Sequence, residues 1–596
     1  MGNMSYLDRI NKKLRREFDN QVRAIETDGC IVLEGTLNSW DAVVRAGNLA
    51  VKARGKETRR FLKTLQSGGN RPGGVVNNIR FTGAAVSPME APELQDKTLE
   101  GLKPDVLVIG GGVTGCAIAR ELTRYELEVL LVEKEHDLAM HASSRNDGMV
   151  HPGLDLQKGS WKHYYNSRGN AMYETIAREL GVDFERTGQY LCFGNAAVKP
   201  LLYLSLLYWK WMGIPGARVI GKKELHRLEP GLKEDLAAAL FFPSAGVVCP
   251  FSLTIALGEN AVQNGARISL DTAVLGMRVR EGRITEVETN RGTLYPQVVI
   301  NAAGTFAEDI AAMAGDRFFS VHPRRGTNSI LDKKYTQDIV RTIASRLKIA
   351  GARNAHTKGG GVIKTVHENI LVGPDAVETW ERENFATAAS SIERTFAKFK
   401  DTSPGVDQSR IIAYFTGVRA PTYEEDFVVC KGRRTGNLVH AAGIQSPGLT
   451  AAPAIAVDAA RFAADLLGAQ GRRVSINRRF NPLLKPIPRL ARMEDAERAA
   501  LIRENPDYGI ILCRCEEVSR GEILDSLRRP VLCDTLDGVK RRVRCGGGRC
   551  QGGFCGPLIV QIIAREKNIP LNRVEKSGPG SGILAGETKS RQRSMA

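Results

Sequence analysis

The feature that most constrains the fold of this chain is a strand, a glycine-rich turn and a helix in direct succession. Val106–Ile109 is a short, continuous apolar run, which is typical of a parallel strand buried on both faces. It leads directly into the sequence GGGVTG at positions 110–115 and then into a predicted helix over 116–124. A second predicted strand over 128–132 ends at Glu133. This β–turn–α–β unit predicts an α/β fold built on a doubly wound, Rossmann-like sheet.

The turn carries three glycines whose spacing suits a bound pyrophosphate. Gly110 permits the tight turn, Gly112 lets phosphates approach the backbone, and Gly115 lets the helix pack closely on the strand. The helix N-terminus offers amide donors and a partial positive charge. Glu133 lies 23 residues after Gly110, which suits a carboxylate that binds the ribose hydroxyls of an adenosine. The pattern therefore predicts a site for NAD or FAD.

Later segments favour FAD over NAD. The loop ASSRNDGMVHPG at 142–153 is rich in hydroxyl, amide and glycine groups, which suits a segment beside a pyrophosphate and an isoalloxazine ring. The segments at 298–315 and 436–456 each predict a strand followed by a small-residue turn, and the second turn can bring backbone amides to the N1/O2 region of a flavin. The predicted cofactor contacts outside the first turn are Ser143, Asn146, Gly148, Gly304, Gly443, Gly448, Leu449 and Thr450.

Six of the 11 cysteines lie within residues 513–555. Such clustering in a long chain is typical of a metal site in a reducing compartment, and not of a disulfide scaffold. The spacings C-x-C and C-x4-C suit zinc or an iron–sulfur cluster, although C-x-C is tight for structural zinc. Cys533 and Cys545 fall outside the pattern and are interpreted as buried small residues or spare thiols. The predicted ligands are Cys513, Cys515, Cys550 and Cys555.

These motifs, together with FTGVRAPTYEEDF at 415–427 and AAGIQSPGLT at 441–450, resemble the FAD-dependent oxidoreductases of the D-amino-acid oxidase/glycerol-3-phosphate dehydrogenase superfamily. The resemblance covers about residues 104–470 and is greatest to the anaerobic-type glycerol-3-phosphate dehydrogenase large subunits. It implies bound FAD and a doubly wound sheet interleaved with an antiparallel substrate sheet. The cysteine-rich tail resembles the bacterioferritin-associated-ferredoxin-like domain, which implies a [2Fe-2S] cluster held in a helical domain.

The residues before the main domain predict a small α+β module with the order αβαβ. Its elements are a basic helix, a strand over Cys30–Leu37, a helix over Ser39–Gln66 and a strand over Val75–Phe81. The phrases IVLEGTLNSW and GGVVNNIRFTG resemble the BON domain, with a general accessory domain as the alternative. The predicted organisation is a BON-like module over 1–84, a linker over 85–103, the FAD-dependent oxidoreductase domain over 104–470, a linker over 471–506, the [2Fe-2S] domain over 507–572 and a tail over 573–596.

A flavin beside a one-electron cluster predicts a dehydrogenase, because reduced flavin can react with oxygen without a cluster. Hydride removal from a carbon that bears a hydroxyl needs a base for the hydroxyl proton and a cation for the substrate anion. His151 is predicted as the base, with a structural or flavin-contacting role as its alternative, and His367 is a second candidate. The resemblance assigns substrate contact to Arg419, although Ala420 here separates it from the proline of the family motif G-V-R-P. Lys358 and Arg325 are further candidate cations.

The overall resemblance implies that glycerol 3-phosphate is oxidised to dihydroxyacetone phosphate. Two departures predict weaker binding of a dianion. Where the family reads H-G-G-L-R-Y, this chain has Asp155 in place of the arginine, and Glu424 and Glu425 stand where a second phosphate-facing arginine is expected. The alternatives are L-2-hydroxyglutarate or another 2-hydroxy acid, an amine, or a non-catalytic role in electron transfer.

The chain has 84 lysines and arginines against 66 acidic residues, a formal net charge of +18. It lacks a recognition helix or an aromatic RNA platform, so nucleic-acid binding is not predicted. Cations near the cysteines and the second linker favour an acidic redox partner or a membrane surface. The N-terminus lacks a signal-peptide core, and Leu201–Met212 is too short to span a bilayer, which leaves an amphipathic surface helix or an interfacial membrane helix. We expect a cytoplasmic protein, with peripheral contact at the inner membrane face, that passes electrons to an acceptor protein or a quinone.

Overall fold

The structure is a computed structural model that describes residues 5–54, 73–346 and 360–586. Its helices, numbered along the chain, are α1 (Tyr6–Phe18), α2 (Trp40–Arg54), α3 (Val113–Leu122), α4 (Trp161–Leu180), α5 (Lys199–Trp211), α6 (Lys222–Leu228), α7 (Pro250–Gln263), α8 (Ala307–Met313), α9 (Ala389–Phe399), α10 (Gly448–Ala469), α11 (Asp495–Glu504), α12 (Arg520–Leu527), α13 (Leu536–Val543) and α14 (Gly556–Lys567). Its strands are β1 (Val22–Thr27), β2 (Cys30–Leu37), β3 (Val75–Phe81), β4 (Val106–Ile109), β5 (Val129–Val132), β6 (Met149–Val150), β7 (Phe184–Glu185), β8 (Gln189–Phe193), β9 (Arg218–Gly221), β10 (Ala238–Phe242), β11 (Gly246–Val248), β12 (Arg267–Ser269), β13 (Val274–Arg280), β14 (Arg283–Thr289), β15 (Gly292–Leu294), β16 (Val298–Asn301), β17 (Arg324–Leu331), β18 (Ile343–Arg346), β19 (Gly361–Lys364), β20 (Ile370–Gly373), β21 (Val377–Glu378), β22 (Ile411–Arg419), β23 (Val428–Lys431), β24 (Leu438–Ala442), β25 (Ile511–Cys513) and β26 (Val518–Ser519).

The first sheet of the main domain (residues 104–470) has the strand order β12-β5-β4-β16-β24-β23. The first five strands run parallel, and β23 pairs antiparallel with β24. Val106 and Val108 of β4 pack into a core that they share with α3, α7 and α10. Leu107 and Ile109 pack into the opposite core, with residues of β13, β14 and α8. Burial on both faces explains the continuous apolar run, and the predicted doubly wound sheet is confirmed.

The second sheet of the main domain has the order β21-β17-β20-β19-β18-β8-β10-β9, and β22 also pairs with β17. Its strands lie between those of the first sheet in the chain, so the two sheets are interleaved as predicted. The sheet is mixed and not purely antiparallel, because β18 runs parallel to β8. The pairing of β17 with β22 sets Arg324 opposite Arg419.

The N-terminal module consists of α1, α2 and the sheet β1-β2-β3. The prediction αβαβ omits β1, although the turn from β1 to β2 carries a known hairpin signal. Asp28 and Gly29 both adopt positive φ, at 51° and 72°, as an Asp-Gly hairpin turn requires. The helix predicted over Ser39–Gln66 is described as far as Arg54, and its remainder lies outside the described residues.

The N-terminal module is joined to the main domain through the segment that follows β22. Tyr423 of the main domain is buried in the core of the module. Its ring approaches Gly47 so closely that a Cβ there would lie 2.2 Å from the ring, and its hydroxyl accepts a hydrogen bond of 2.8 Å from Asn77. Glu424 accepts a hydrogen bond of 2.8 Å from the amide of Val75. The module therefore supports the segment that carries the predicted substrate arginine.

The C-terminal domain packs α12, α13, α14 and the hairpin β25-β26 around its own core. Arg541 and Arg542 form ion pairs with Asp137 of the main domain at 2.7 and 2.9 Å. His136 of the main domain contacts Asp534 of this domain at 2.9 Å. Two of the arginines beside the cysteines, Arg541 and Arg542, thus hold two domains together.

Basic residues of the second linker also form internal ion pairs. Arg489 and Arg492 pair with Asp183, and Arg472 pairs with Asp105. Part of the positive charge is therefore neutralised within the chain. In the ranges that the structure describes, no helix is long and apolar enough to cross a membrane.

Candidate active site and cysteine cluster

The glycine turn has the backbone geometry that its spacing predicts. Gly110 adopts a φ of 111°, and a Cβ at Gly115 would lie 1.9 Å from the carbonyl oxygen of Gly110. Gly112 is the N-cap of α3, which begins at Val113. Any larger residue at Gly115 would push the helix off the strand, so the glycines bring the first amides of α3 to the end of β4, where a phosphate can bind.

Glu133 lies at the end of β5, beside the glycine turn. Its Oε2 accepts a hydrogen bond of 2.5 Å from the amide of Gly111, and its Oε1 accepts one of 2.9 Å from the amide of Glu135. Burial raises the pKa of this carboxyl. The two amides fix the carboxylate at the strand end, where the ribose of a dinucleotide is expected.

The loop after β5 brings polar groups to the N-terminus of α3. Ser143 Oγ accepts a hydrogen bond of 2.8 Å from the amide of Val113 and would lie 3.1 Å from a Cβ at Gly112. Asn146 Oδ1 accepts a hydrogen bond of 2.9 Å from the amide of Gly148, which has a φ of 67°. The space at Gly112 is thus bordered by a helix amide and a hydroxyl, a donor set that fits a pyrophosphate.

His151 is joined to the loop that begins α10. Its amide donates to Thr450 Oγ1 at 2.9 Å, and its Nε2 lies 3.4 Å from Ser446 Oγ. Its carbonyl oxygen accepts hydrogen bonds from the side-chain amides of Asn166 and Asn170, at 3.2 and 2.9 Å. Backbone contacts on both sides therefore fix the position of the imidazole.

The remaining predicted cofactor contacts lie in two turns at the ends of parallel strands. Gly443 and Gly304 follow β24 and β16, with φ of 67° and 56°, and a Cβ at Gly304 would meet open space. Gly448 is the first residue of α10, and the carbonyl oxygen of Leu449 accepts a hydrogen bond of 2.5 Å from Tyr173. The strand ends thus gather at one edge of the sheet, where ligands of open α/β sheets bind.

Arg419 is the last residue of β22. Among the described residues its hydrogen bond is to a main-chain group, the carbonyl oxygen of Asp375, at 3.1 Å. Burial lowers the pKa of the guanidinium, and the charge of Asp147 acts in the opposite direction. Arg419 therefore keeps donors for an anionic ligand, in contrast to Arg324 on the adjacent strand.

Arg324 is neutralised by two carboxylates. It forms ion pairs with Glu378 at 2.6 Å and with Glu425 at 2.7 Å. Glu425 also lies 3.7 Å from Lys162 and accepts a hydrogen bond of 2.5 Å from Gln445. Although burial acts to raise it, Arg324 and Lys162 lower the pKa of Glu425 to about 2. Glu425 is thus an ionised member of an internal network.

The acidic residues that were expected to weaken dianion binding have other partners or positions. Glu424 contacts the N-terminal module through Val75. Asp155 is exposed to solvent in the loop after His151. Glu425 is paired to Arg324. These contacts supply no cation in place of the missing arginines, so weaker binding of a dianion stays a prediction.

His367, the second candidate base, lies in a turn between β19 and β20. It lines a cavity of about 280 Å³ at the C-terminal domain, together with Arg489, Arg492 and Arg544. Burial and then these positive charges hold its pKa well below the usual range. The structure thus places His367 beside the cysteine domain and does not group it with His151.

The cysteines of the C-terminal domain come together as free thiols. The Sγ atoms of Cys515 and Cys550 are 3.6 Å apart. The Sγ atoms of Cys513, Cys545 and Cys555 all lie within 4.8 Å of one another and are buried. These five thiols are enough to supply the four thiolate ligands that a [2Fe-2S] cluster requires.

Cys545 is the neighbour that sequence reasoning missed. The even spacing of Cys545, Cys550 and Cys555, with four residues in each interval, is the signal that could have included it. Cys533 is buried elsewhere in the domain core. Of the further candidate cations, Lys358 lies outside the described residues, and Arg325 is in β17.

Comparison with known proteins defines the class. A family model for FAD dependent oxidoreductases matches residues 105–462, and one for the BFD-like [2Fe-2S] binding domain matches residues 511–565. The chain belongs to the FAD-dependent oxidoreductase family and carries a C-terminal [2Fe-2S] domain. Its cofactors are FAD and a [2Fe-2S] cluster, as the glycine turn and the thiols predict.

The names of three similar proteins describe dehydrogenases or oxidases of glycerol phosphate. The chain is 34% identical over 491 residues to a glycerol 3-phosphate dehydrogenase of Caloramator mitchellensis, which covers 82% of this chain and 99% of that protein. It is 25% identical over 509 residues to a chain of the anaerobic glycerol-3-phosphate dehydrogenase of Escherichia coli K12, covering 79% and 89%. The FAD-bound L-α-glycerophosphate oxidase of Mycoplasma pneumoniae superposes with a TM-score of 0.56 at 26% identity, covering 64% and 98%.

Proposed function

We propose that this enzyme oxidises glycerol 3-phosphate to dihydroxyacetone phosphate. The observation that carries the proposal is Arg419, a cation at the end of β22 whose hydrogen bond in the described structure is to a carbonyl oxygen, while the neighbouring Arg324 is neutralised. A guanidinium with free donors suits bidentate contact with a phosphate. The names of the relatives support the same substrate.

FAD, Arg419 and His151 have separate roles in this reaction. Bound FAD supplies the hydride acceptor. Arg419 holds the phosphate and so orients the carbon that bears the hydroxyl. His151 Nε2 takes the hydroxyl proton. Its backbone is held by Thr450 on one side and by Asn166 and Asn170 on the other, which fixes the position of the imidazole.

A 2-hydroxy acid such as L-2-hydroxyglutarate is the second candidate substrate. The same observation favours it, since one guanidinium can bind one carboxylate as readily as a phosphate. The two candidates differ in charge and size, so competition between them reports on the same site.

The test is an anaerobic titration of the oxidised protein with glycerol 3-phosphate, L-2-hydroxyglutarate and glycine, monitored at the flavin absorption band. We expect glycerol 3-phosphate to bleach the band at lower concentration than the other two. Bleaching by the hydroxy acid alone would reassign the substrate. A band unchanged by all three compounds would leave a non-catalytic role in electron transfer.

We also propose that the enzyme works at a membrane surface, with α5 as the contact. Leu202, Leu206 and Trp209 of α5 pack on the main domain. The outer face carries six large apolar side chains that are 47–72% exposed, namely Leu201, Tyr203, Leu204, Leu207, Tyr208 and Trp211. A helix that is apolar on both faces needs a second apolar partner.

Charge favours an anionic lipid surface as that partner. The 37 residues from Thr187 to Lys223 include five lysines and arginines and no aspartate or glutamate. Lys158 adds a further cation, with its ammonium 3.9 Å from the ring centroid of Trp211. Exposed Leu, Tyr and Trp surrounded by lysines is the composition of interfacial helices.

A further inference from the structure

The C-terminal domain contains a half-open cavity of about 580 Å³ beside the cysteines, which we call the acceptor cavity. Cys545 lines it, and the Sγ of Cys545 lies within 4.8 Å of those of Cys513 and Cys555. Its volume is in the range of small-molecule sites. A ligand in this cavity would therefore be separated from Cys513 and Cys555 by the side chain of Cys545.

The walls of the acceptor cavity are mainly apolar. Ile559 and Val560 of α14 form one wall, and Leu571, Ile583 and Leu584 border the opening with side chains that are about 40% exposed or more. An opening with several exposed apolar side chains indicates that the ligand is itself largely apolar.

The floor of the cavity is backbone. Gly546 and Gly552 line it with positive φ of 84° and 89°, and a Cβ on Gly546 would lie 3.7 Å from the Cα of Gly552. Two glycines in close approach leave a flat surface without side chains. Such a surface suits a flat ring.

Of the charged side chains that line the cavity, Lys540 forms no ion pair with the described residues. Asp537 and Lys576 both line the cavity and pair with each other at 3.1 Å. The ammonium of Lys540, on the same helix as Asp537, makes no ion pair and no side-chain hydrogen bond within the described ranges, although its carbonyl oxygen accepts a hydrogen bond from the amide of Arg544. Burial lowers its pKa. An unpaired ammonium in an apolar cavity suits a ligand oxygen that becomes negative on reduction.

We propose that the acceptor cavity binds the electron acceptor and that this acceptor is a quinone, a flat apolar ring with two carbonyl oxygens. Lys540 donates to one of these oxygens, and the ring lies on the glycine floor next to Cys545. The proposal rests on the proposed function only for the source of electrons. Oxidation of the alcohol releases two electrons and two protons, and the quinone takes up two of each to become a hydroquinone, so the exchange balances.

The test is calorimetric titration of menadione, a soluble quinone, into the oxidised holoprotein without substrate. We expect saturable binding at one site. Gln561→Trp and Leu571→Trp place a bulky ring in the cavity from two exposed positions, and each should weaken binding at least tenfold. Lys540→Gln should weaken it several-fold. The iron and FAD contents of each variant check that it has folded.

Leu558→Trp is the matched control, because Leu558 is an exposed residue of α14 that does not line the cavity. It should bind menadione as the unmodified protein does. Absence of saturable binding to the unmodified protein, or equal binding by all the tryptophan variants, would refute the proposal and leave a protein partner as the acceptor. Menadione binding without flavin bleaching by glycerol 3-phosphate would overturn the proposed substrate and not the cavity.

Discussion

Arg419 and Arg324 occupy facing positions on two paired strands, yet their surroundings differ. Arg324 meets two carboxylates within 2.7 Å, whereas Arg419 donates to a carbonyl oxygen. A charged hydrogen bond to a ligand contributes about 1.5–3 kcal/mol. At the scale of single residues, this difference decides which arginine is available to a substrate.

The first prediction concerns Arg419→Ala. We expect the KM for glycerol 3-phosphate to rise by about 10- to 100-fold, the factor that corresponds to loss of one charged contact. FAD content should not change, because the predicted cofactor contacts lie on other segments. Steady-state kinetics with the flavin absorbance ratio measures both. Arg278→Ala, at an exposed arginine of β13, is the control, and flavin loss in Arg419→Ala would contradict the assigned role.

The second prediction concerns the cluster ligands. Cys515→Ala should abolish the iron signal while substrate still bleaches the flavin, because the thiol of Cys515 pairs with that of Cys550 at 3.6 Å. Cys533→Ala, at a buried thiol outside the group, should retain full iron. Iron analysis and electron paramagnetic resonance of the reduced protein separate the two. Full iron in Cys515→Ala would refute the ligand set.

Single residues also show the limits of sequence reasoning. The geometry of the glycine turn and the position of Glu133 could be predicted because both follow from local backbone geometry. The contacts of Glu424 and Glu425 could not be predicted, because their partners Val75 and Arg324 are distant in sequence. His367 was misplaced for the same reason, since only the tertiary structure shows that its turn meets the C-terminal domain.

At the scale of elements, α5 differs from the other surface helices in its two apolar faces. The sequence predicted an amphipathic surface helix or an interfacial membrane helix, and the structure exposes large apolar side chains such as Leu204 and Leu207 on the outer face. In contrast, β1 was missed, although the alternating burial of its first residues and the Asp-Gly turn that follows both indicate a hairpin.

The third prediction tests α5 as a membrane contact. The protein should sediment with vesicles of phosphatidylcholine and phosphatidylglycerol, and less with phosphatidylcholine alone. The double variant Leu204→Glu/Leu207→Glu should lose most of this binding, because it places two carboxylates on the apolar face. Ile476→Glu alters a side chain that is 74% exposed outside α5 and should bind normally. Equal sedimentation of both variants would exclude α5.

At the scale of the whole molecule, charge holds the domains together. Asp137, in the segment that follows Glu133, forms ion pairs with two arginines of the C-terminal domain. His136 links Asp271 of the main domain to Asp534 of the C-terminal domain, at 2.8 and 2.9 Å. The cysteine domain is thus attached beside the dinucleotide turn.

The fourth prediction concerns the pH dependence of this attachment. Hydrogen bonds to Asp271 and then Asp534 raise the pKa of His136 from about 6.5 to about 10. A raised folded-state pKa gives stability that is complete below about pH 6.5 and declines as pH rises towards 10. His136→Gln should therefore lower the Tm at pH 6, and the difference should shrink by pH 10.

Thermal unfolding of the two proteins at pH 6, 8 and 10 measures this difference. Asp534→Asn removes one of the two carboxylates and should remove part of the same pH-dependent term. A Tm difference that stays constant across the range would show that protonation of His136 does not contribute.

The burial of Tyr423 in the N-terminal module has a consequence for biosynthesis. Domains generally fold in the order in which the ribosome releases them. Here the module leaves the ribosome before the main domain, but the ring that completes its core follows 346 residues after Asn77, its hydrogen-bond partner. The module is therefore synthesised well before the residue that completes its core, and a nascent chain that stops before Tyr423 leaves that core open.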